Sequence, residues 1–584
     1  MLHSNTYSKR RNMKRSIQYL LIIALLGFAI ACDTDDFLTE VNPFERDLEG
    51  FYSTPTEIDE AFGGVYHALY TDDPVSHEII IANLLSDMML AGGGTDDAVA
   101  KEIDAFRETR EDVFRDLLRK TYDGVNRSNG IIENIERFDF TQFFDNEQDA
   151  IDFVNQAIGE AYFMRGFFYL RAAKFFGGLP LILETGQDRF TTGRSTIPET
   201  YAQIASDFKK AIETMPAVPI SQIPGNRYGH ANKWVAEAFM ARAYLYYTGY
   251  MTNMEGQATS ELPLTDGGSV TATDIEGYLN DLIANSGHAL ATDFRNLWPY
   301  AHVNQSAGNA TLPWADNEGL AWVGQDGLFP TIGTGNAETI FSVRHSSADW
   351  NFGGQKINNR VALFFSIRGN SLVPFGQGWG WGPVNPKLWN QWDDADPRKQ
   401  GSIIEIGNPD QGTQNYDQSG EGDHNTGFFN KKYTSVQHDG ARGVIAMFAY
   451  LYNNPNTDMQ LWHSQDMILM RMADVLLMHS EITQTATGIN TVRARAGLPA
   501  VGYSVDALKQ ERLHELAFEG LRWFDLVRWG DVNTAFTDVI NVRNLGVDGV
   551  YNATYRPEIK GLMPFPQTDI RLSNGVLTQN PGWN

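Results

Sequence analysis

Cysteine occurs once in 584 residues, at position 32. No disulfide can close within the chain and no thiolate cluster can hold zinc, so the fold must rest on core burial. A chain of this length can bury enough surface to do so. Cys32 also sits at a junction. It closes the apolar run Tyr19–Ala31, which follows Lys9, Arg10, Arg11, Lys14 and Arg15. A basic head, a short apolar stretch and small residues before a cut have the form of a secretory signal peptide. As a helix the run reaches only about 20 Å at ~1.5 Å per residue, short of a ~30 Å hydrocarbon core. It is a poor permanent membrane span.

The residues before the cysteine, Ala29-Ile30-Ala31-Cys32, have the pattern of a lipobox, with Ala where Leu is commoner at the first position. Residues 1–31 are therefore expected to be a signal peptide and Cys32 the lipidation site. Met13 is an alternative start, because Lys14 and Arg15 still supply a basic head. Acyl chains contribute roughly 0.8 kcal/mol per buried methylene, so several would tether a soluble body firmly. Residues 32–50 are polar and read as the tether.

The formal net charge of −26 becomes −31 without residues 1–31, which hold five basic and no acidic side chains. Nucleic-acid binding needs a basic face and is disfavoured. Peripheral attachment to anionic lipid is disfavoured for the same reason, so contact with a membrane is expected through the anchor alone.

Helix signals mark the part from 51 to 253. Thr54-Pro55-Thr56-Glu57 is a capping box with Pro at the first helical position. Ala157 to Phe176 is apolar around most of its circumference, so neighbours are expected on both sides, and Gly177-Gly178-Leu179-Pro180 stops it. Thr196-Ile197-Pro198-Glu199 opens another helix, and Lys233 to Tyr247 forms the next. These are helix pairs of tetratricopeptide size. From 254 to 462 the periodicity fades. Nine of the thirteen Trp lie between Trp298 and Trp462, among Gly, Asn and Asp, and Thr339–Val343 is a strand candidate. In the part from 463 to 584, helices are expected to return at Gln465, with a second from Leu508 to Phe518.

Several segments, in order, resemble the SusD/RagB family. They are Gly159-Glu160-Ala161-Tyr162-Phe163-Met164-Arg165-Gly166-Phe167-Phe168-Tyr169, His230-Ala231-Asn232-Lys233-Trp234, Asp396-Pro397-Arg398, Arg471-Met472-Ala473-Asp474, Val492-Arg493-Ala494-Arg495-Ala496-Gly497-Leu498, and Glu511 to Gly520 with Arg522 to Gly530. The end, Met563-Pro564-Phe565-Pro566 to Asn580-Pro581-Gly582-Trp583, is also similar. Leu513 and His514 stand where the family usually has charged residues, and Met164 where Leu is common. The acidic Asp33-Thr34-Asp35-Asp36 is similar to the surface-export signal of Bacteroidota lipoproteins. The resemblance implies a mainly α fold of one compact unit, with tetratricopeptide-like helix pairs as scaffold and the loop-rich insertion as binding surface. It also implies a lipid-anchored outer-membrane protein facing the exterior, beside a TonB-dependent transporter that it covers like a lid. Its ligand is expected to be glycan; the alternatives are peptide or, less in keeping with the family, an enzyme that degrades polysaccharide.

No catalytic motif stands out. Arg512, His514, Glu515, Glu519, Arg522, Asp525 and Arg528, interleaved with Trp and Phe, read as semi-buried ion pairs that fix helix register. His514-Glu515 begins like a zinc helix, but Phe518 stands where the second His belongs. Asp417 to Asp423 is oxygen-rich and a calcium candidate, but Phe428 replaces the closing Glu of an EF-hand loop; no cofactor is expected. Binding is expected to rest on rings. Flat indole faces match the C–H face of a sugar, and Asp, Asn or Arg match its hydroxyls. Trp379-Gly380-Trp381-Gly382 is the best candidate, with Trp314, Trp322 and Trp350 beside it. Asp87 and Asp96, flanking the turn Ala91-Gly92-Gly93-Gly94, are candidate hydroxyl partners. Trp389 and Trp392 follow Pro386 at helical spacing and are assigned to the core.

Overall fold

The computed structural model describes residues 50–583 apart from 72–73, 110–111, 303–319, 321–322, 324–335, 346–356, 370–371, 377, 417–421, 441–442, 447–457, 459, 462 and 464. Cys32 and the preceding segment lie outside the described residues. The frame is helical. Its first six long helices are α1 (Pro55–His67), α2 (Phe114–Asn134), α3 (Glu147–Phe176), α4 (Ile197–Thr214), α5 (Lys233–Asn253) and α6 (Ala272–Asn285). In the carboxy-terminal part α7 (Met472–Thr483), α8 (Thr487–Arg495), α9 (Val505–Glu515) and α10 (Arg522–Trp529) follow. Neighbours in the first series pack side by side in tetratricopeptide fashion; α6 passes the series on to α7, and α10 packs on α5. Among the described residues no helix is long and apolar enough to cross a membrane.

Local sequence sets the helix ends. Thr54 and Thr196 each accept the backbone N–H three residues on, while Glu57 and Glu199 reach back to the cap. These reciprocal bonds satisfy N–H groups that would otherwise be left unpaired. Helix α3 ends where Gly177 turns to φ 71°, a conformation that costs glycine little. From Ala157 to Phe176 all of its residues except Tyr162 are buried, which agrees with an apolar girdle covered on every side. Phe163 and Phe167 of α3 meet Phe208 of α4, Phe239 of α5 and Phe341 within ring-centroid distances of 5.2–5.9 Å.

Two helix expectations need correction. Residues Met467–Arg471 are a strand, β2, paired antiparallel with β1 (Thr339–Val343), and α7 starts only at Met472. The three-to-four spacing of Met467, Met470 and Arg471 suits a helix, but pairing with β1 prevails because both strands are buried. The second helix stops at Glu515, since Phe518 lies at φ 67°. A hairpin, β3 (Ile540–Asn544) with β4 (Val547–Tyr551), is an element that the sequence reading did not foresee.

Ion pairs inside the core join these pieces. The buried Arg471, at the end of β2, donates to Glu338, Glu515 and Glu519 at 2.5–2.9 Å. Arg495 of α8 bridges Glu338 and Glu515. Arg398, from the Asp396-Pro397-Arg398 segment, is fully buried and reaches Asp396, Glu511 and Glu515. A second set ties α7, α9 and α10: Arg512 binds Asp474 and Asp525, and Arg528 binds Asp525 and Glu481. Burial by itself would raise the Glu515 carboxyl, but Arg495, Arg471 and Arg398 overcome it and hold the group well below the usual carboxylate range. The Asp474 carboxyl is likewise held low against burial, by Arg512 and Arg242.

Two outcomes follow for stability. Replacing Arg471 by Met leaves three buried carboxylates short of a partner, and should cost about 3–5 kcal/mol in urea unfolding; a loss below ~1 kcal/mol would show that the network does not hold the fold. Glu515 and Asp474 have folded pKa values below their unfolded ones. Their stabilisation is present above about pH 4, the unfolded range, and is lost as pH falls through the lower folded values. Midpoints of urea unfolding should therefore drop steeply below about pH 4, more so than for an Asp474→Asn variant.

Candidate ligand-binding site

Two segments far apart in sequence, the glycine turn at 91–94 and the Trp-Gly repeat at 379–382, are joined through their backbones. The N–H groups of Leu90 and Asn385 donate to Pro383 and Met88, each at 2.8 Å. Gly382 donates to Ala91 at 3.0 Å, and Gly93 donates to Gly380 at 2.8 Å. Gly92 is required at this junction. Its φ is +68°, and a Cβ there would lie 2.3 Å from the Gly380 carbonyl oxygen.

Alternation along the 379–382 segment puts both indoles on one face. Each meets Phe364 edge-on at 4.6 Å. Phe364 comes from the short helix Arg360–Phe365, capped by Asn359. The two rings differ in access. Trp381 is 2% exposed and belongs to the hydrophobic core; with its faces covered it offers no platform, which corrects its place among the candidate ligand rings. Trp379 is half-buried, and the Arg360 guanidinium lies 5.6 Å from its ring centre. Trp314, Trp322 and Trp350 lie outside the described residues. Trp392 is buried and donates to Asp396 at 2.9 Å, while Trp389 is half-buried against Phe428.

The two candidate carboxylates have separate fates. Asp87 accepts a two-pronged hydrogen bond from Arg522, at 2.8 Å on each oxygen. That pairing gives it a structural task and corrects its expected role as a hydroxyl partner. Asp96 is exposed, and its carboxylate has no partner among the described residues. Next to it, Asp97 accepts the Gly94 N–H at 2.6 Å. Arg368 donates to the Trp379 carbonyl at 3.2 Å and lies 3.9 Å from Asp97. Lys101 binds the Gly94 carbonyl and Asp423. The remainder of the oxygen-rich loop, 417–421, lies outside the described residues. Beneath the turn, the Asp104 carboxyl accepts the Ala91 N–H at 2.7 Å. Burial pushes its pKa up to about 7, against hydrogen bonding from Tyr551 and Ala91. Sequence reading missed Phe364, Arg360 and Arg368. The Asn359 cap before an apolar run was the available signal for Arg360 and Phe364; Arg368 lies beyond that helix.

The carboxylates of the carboxy-terminal signature are engaged in the core pairs described above. His514 stacks on Trp392 at 4.5 Å, and burial draws its pKa down to about 4; it serves as a neutral flat ring. Among the described residues no cluster of three or more His, Cys, Asp or Glu side chains is placed to hold a metal ion.

Comparison with known proteins agrees with this architecture. Residues 385–583 match the SusD family, and residues 36–245 match a second family described as "Starch-binding associating with outer membrane". SusD-like protein P2 of Formosa agariphila is 23% identical, over 92% of this chain and 94% of its own length. SusD-like protein P25 of the same organism is 22% identical, over 88% and 90%. Among solved structures, a laminarin binding SusD-like protein superposes with a TM-score of 0.66 at 21% identity, covering 91% of this chain and all of its own. Surface glycan-binding protein A from Bacteroides thetaiotaomicron, in complex with laminarihexaose, gives 0.67 at 17%, covering 90% and 99%. The two matched families span both ends of the helical frame, and the chain belongs to the SusD/RagB family.

Proposed function

We propose that this chain is a surface lipoprotein that binds oligosaccharide and passes it, unaltered, to a TonB-dependent outer-membrane transporter. The observation that carries the reading is Trp379. Its ring keeps an open portion on a segment fixed by backbone pairing to the glycine turn, with Phe364 edge-on to it and the Arg360 guanidinium over it. A half-covered indole on a rigid support suits the C–H face of a sugar, because little side-chain freedom is lost on binding. Asp96 supplies a hydroxyl acceptor on the same turn. Trp314, Trp322 and Trp350 remain proposed contributors of further rings. The names of the solved relatives, one laminarin binding and one with laminarihexaose, support glycan as the ligand class.

Binding without turnover fits the commitment of the signature carboxylates to ion pairs, which leaves no free acid–base pair there. Anchorage through an acylated Cys32 fits the charge balance, since an acidic body has no electrostatic attraction to anionic lipid.

Affinity gels and calorimetry with a panel of glycans, laminarin among them, test the ligand class. Trp379→Ala should weaken retention about tenfold, the equivalent of ~1.4 kcal/mol. Retention by no glycan, with tight binding of peptide, would overturn the sugar reading. Mass spectrometry of protein from cells should find acyl chains on Cys32, and Cys32→Ala should release the body from the membrane fraction; an unmodified thiol defeats the anchor. Co-purification of a transporter with the intact lipoprotein is the expected outcome for the hand-off.

A further inference from the structure

Away from the candidate site, a cavity lies where the two helical parts of the chain meet. It is lined by Glu78, Arg171 and Lys174 of α3, Arg242 of α5, Leu469 of β2, and the turn from Glu519 to Leu521. Its charges are not balanced. Arg242 donates to the Leu469 carbonyl and to Asp474. Glu519 accepts from Arg471 and Lys432. That leaves Arg171 and Lys174 facing Glu78.

Arg171 is 3% exposed, and its Nε lies 2.9 Å from Glu78 Oε2. The two groups face each other off the hydrogen-bond direction, so Arg171 Nε and Nη1, and Glu78 Oε2 opposite them, are buried with no hydrogen-bond partner. Lys174 Nζ sits 4.1 Å from the centre of the Phe524 ring and makes no hydrogen bond among the described residues. Burial draws the Lys174 pKa down to about 8, with Glu78 opposing it. Buried donors are rarely left unsatisfied. A water would accept from them but would not offset the extra positive charge. The cavity has room for about one or two water-sized species.

We propose that this cavity is a binding site for a small monovalent anion of the chloride class, held by Arg171 and Lys174 at the junction of the two helical parts. The anion accepts the N–H groups that protein oxygens leave unused and balances the surplus charge. It stabilises the folded chain, because the unfolded chain has no such site.

Thermal unfolding in sodium chloride and in sodium gluconate at equal ionic strength tests this. The unaltered protein should melt a few degrees higher in chloride. Lys174→Met, which keeps the bulk of the side chain, should abolish that difference. Crystals of the unaltered protein soaked in sodium bromide should show an anomalous peak in contact with both Lys174 Nζ and the Arg171 guanidinium. Water alone in the cavity overturns the proposal, as does a chloride shift unchanged by Lys174→Met. Should that variant fail to fold, the bromide soak decides.

Discussion

Glu515 is the point on which the architecture depends. Its two oxygens receive Arg471 from a strand, Arg495 from α8 and Arg398 from the far side of the loop-rich middle. A buried carboxylate cannot remain charged without such partners, and each guanidinium would be equally costly alone. The burial of each group is therefore conditional on the others. This mutual dependence takes the place of the covalent links that a chain with one cysteine cannot make.

The same logic extends outward. Asp396 caps the helix Pro397–Ser402, accepts the Trp392 indole N–H and directs Arg398 towards Glu511 and Glu515. Trp392 in turn lies flat on His514. Arg522 reaches from α10 to Asp87, a few residues ahead of the glycine turn. Polar contacts of high directionality thus connect the carboxy-terminal helices to the residues ahead of the glycine turn and to the segment 392–398 that follows the Trp-Gly repeat. The turn itself is held from below by Asp104 and from the side by the Trp-Gly segment, so that Trp379 stands on a fixed base.

Much of this was legible from residue patterns. The capping boxes at Thr54 and Thr196, the girdled helix α3 and the Gly177 stop are local features, and local chemistry decides them. The ionic signature was readable because alternating Arg and carboxylate among large rings has few uses other than buried pairing. Met467–Arg471 was not readable, because its strand partner lies more than a hundred residues earlier. The opposite fates of Trp379 and Trp381 were not readable either. They share a face, a glycine-flanked context and the same edge-on contact with Phe364, and only the core packed around Trp381 distinguishes the covered ring from the open one.

The sequence alone determined the helical frame and the likeness to SusD/RagB proteins, since each depends on residues close together in the chain. Tertiary structure decided which charges pair, which indole keeps an open face and that Asp87 belongs to Arg522. Those outcomes depend on contacts between distant segments, and periodicity carries no record of which distant surface a side chain will meet.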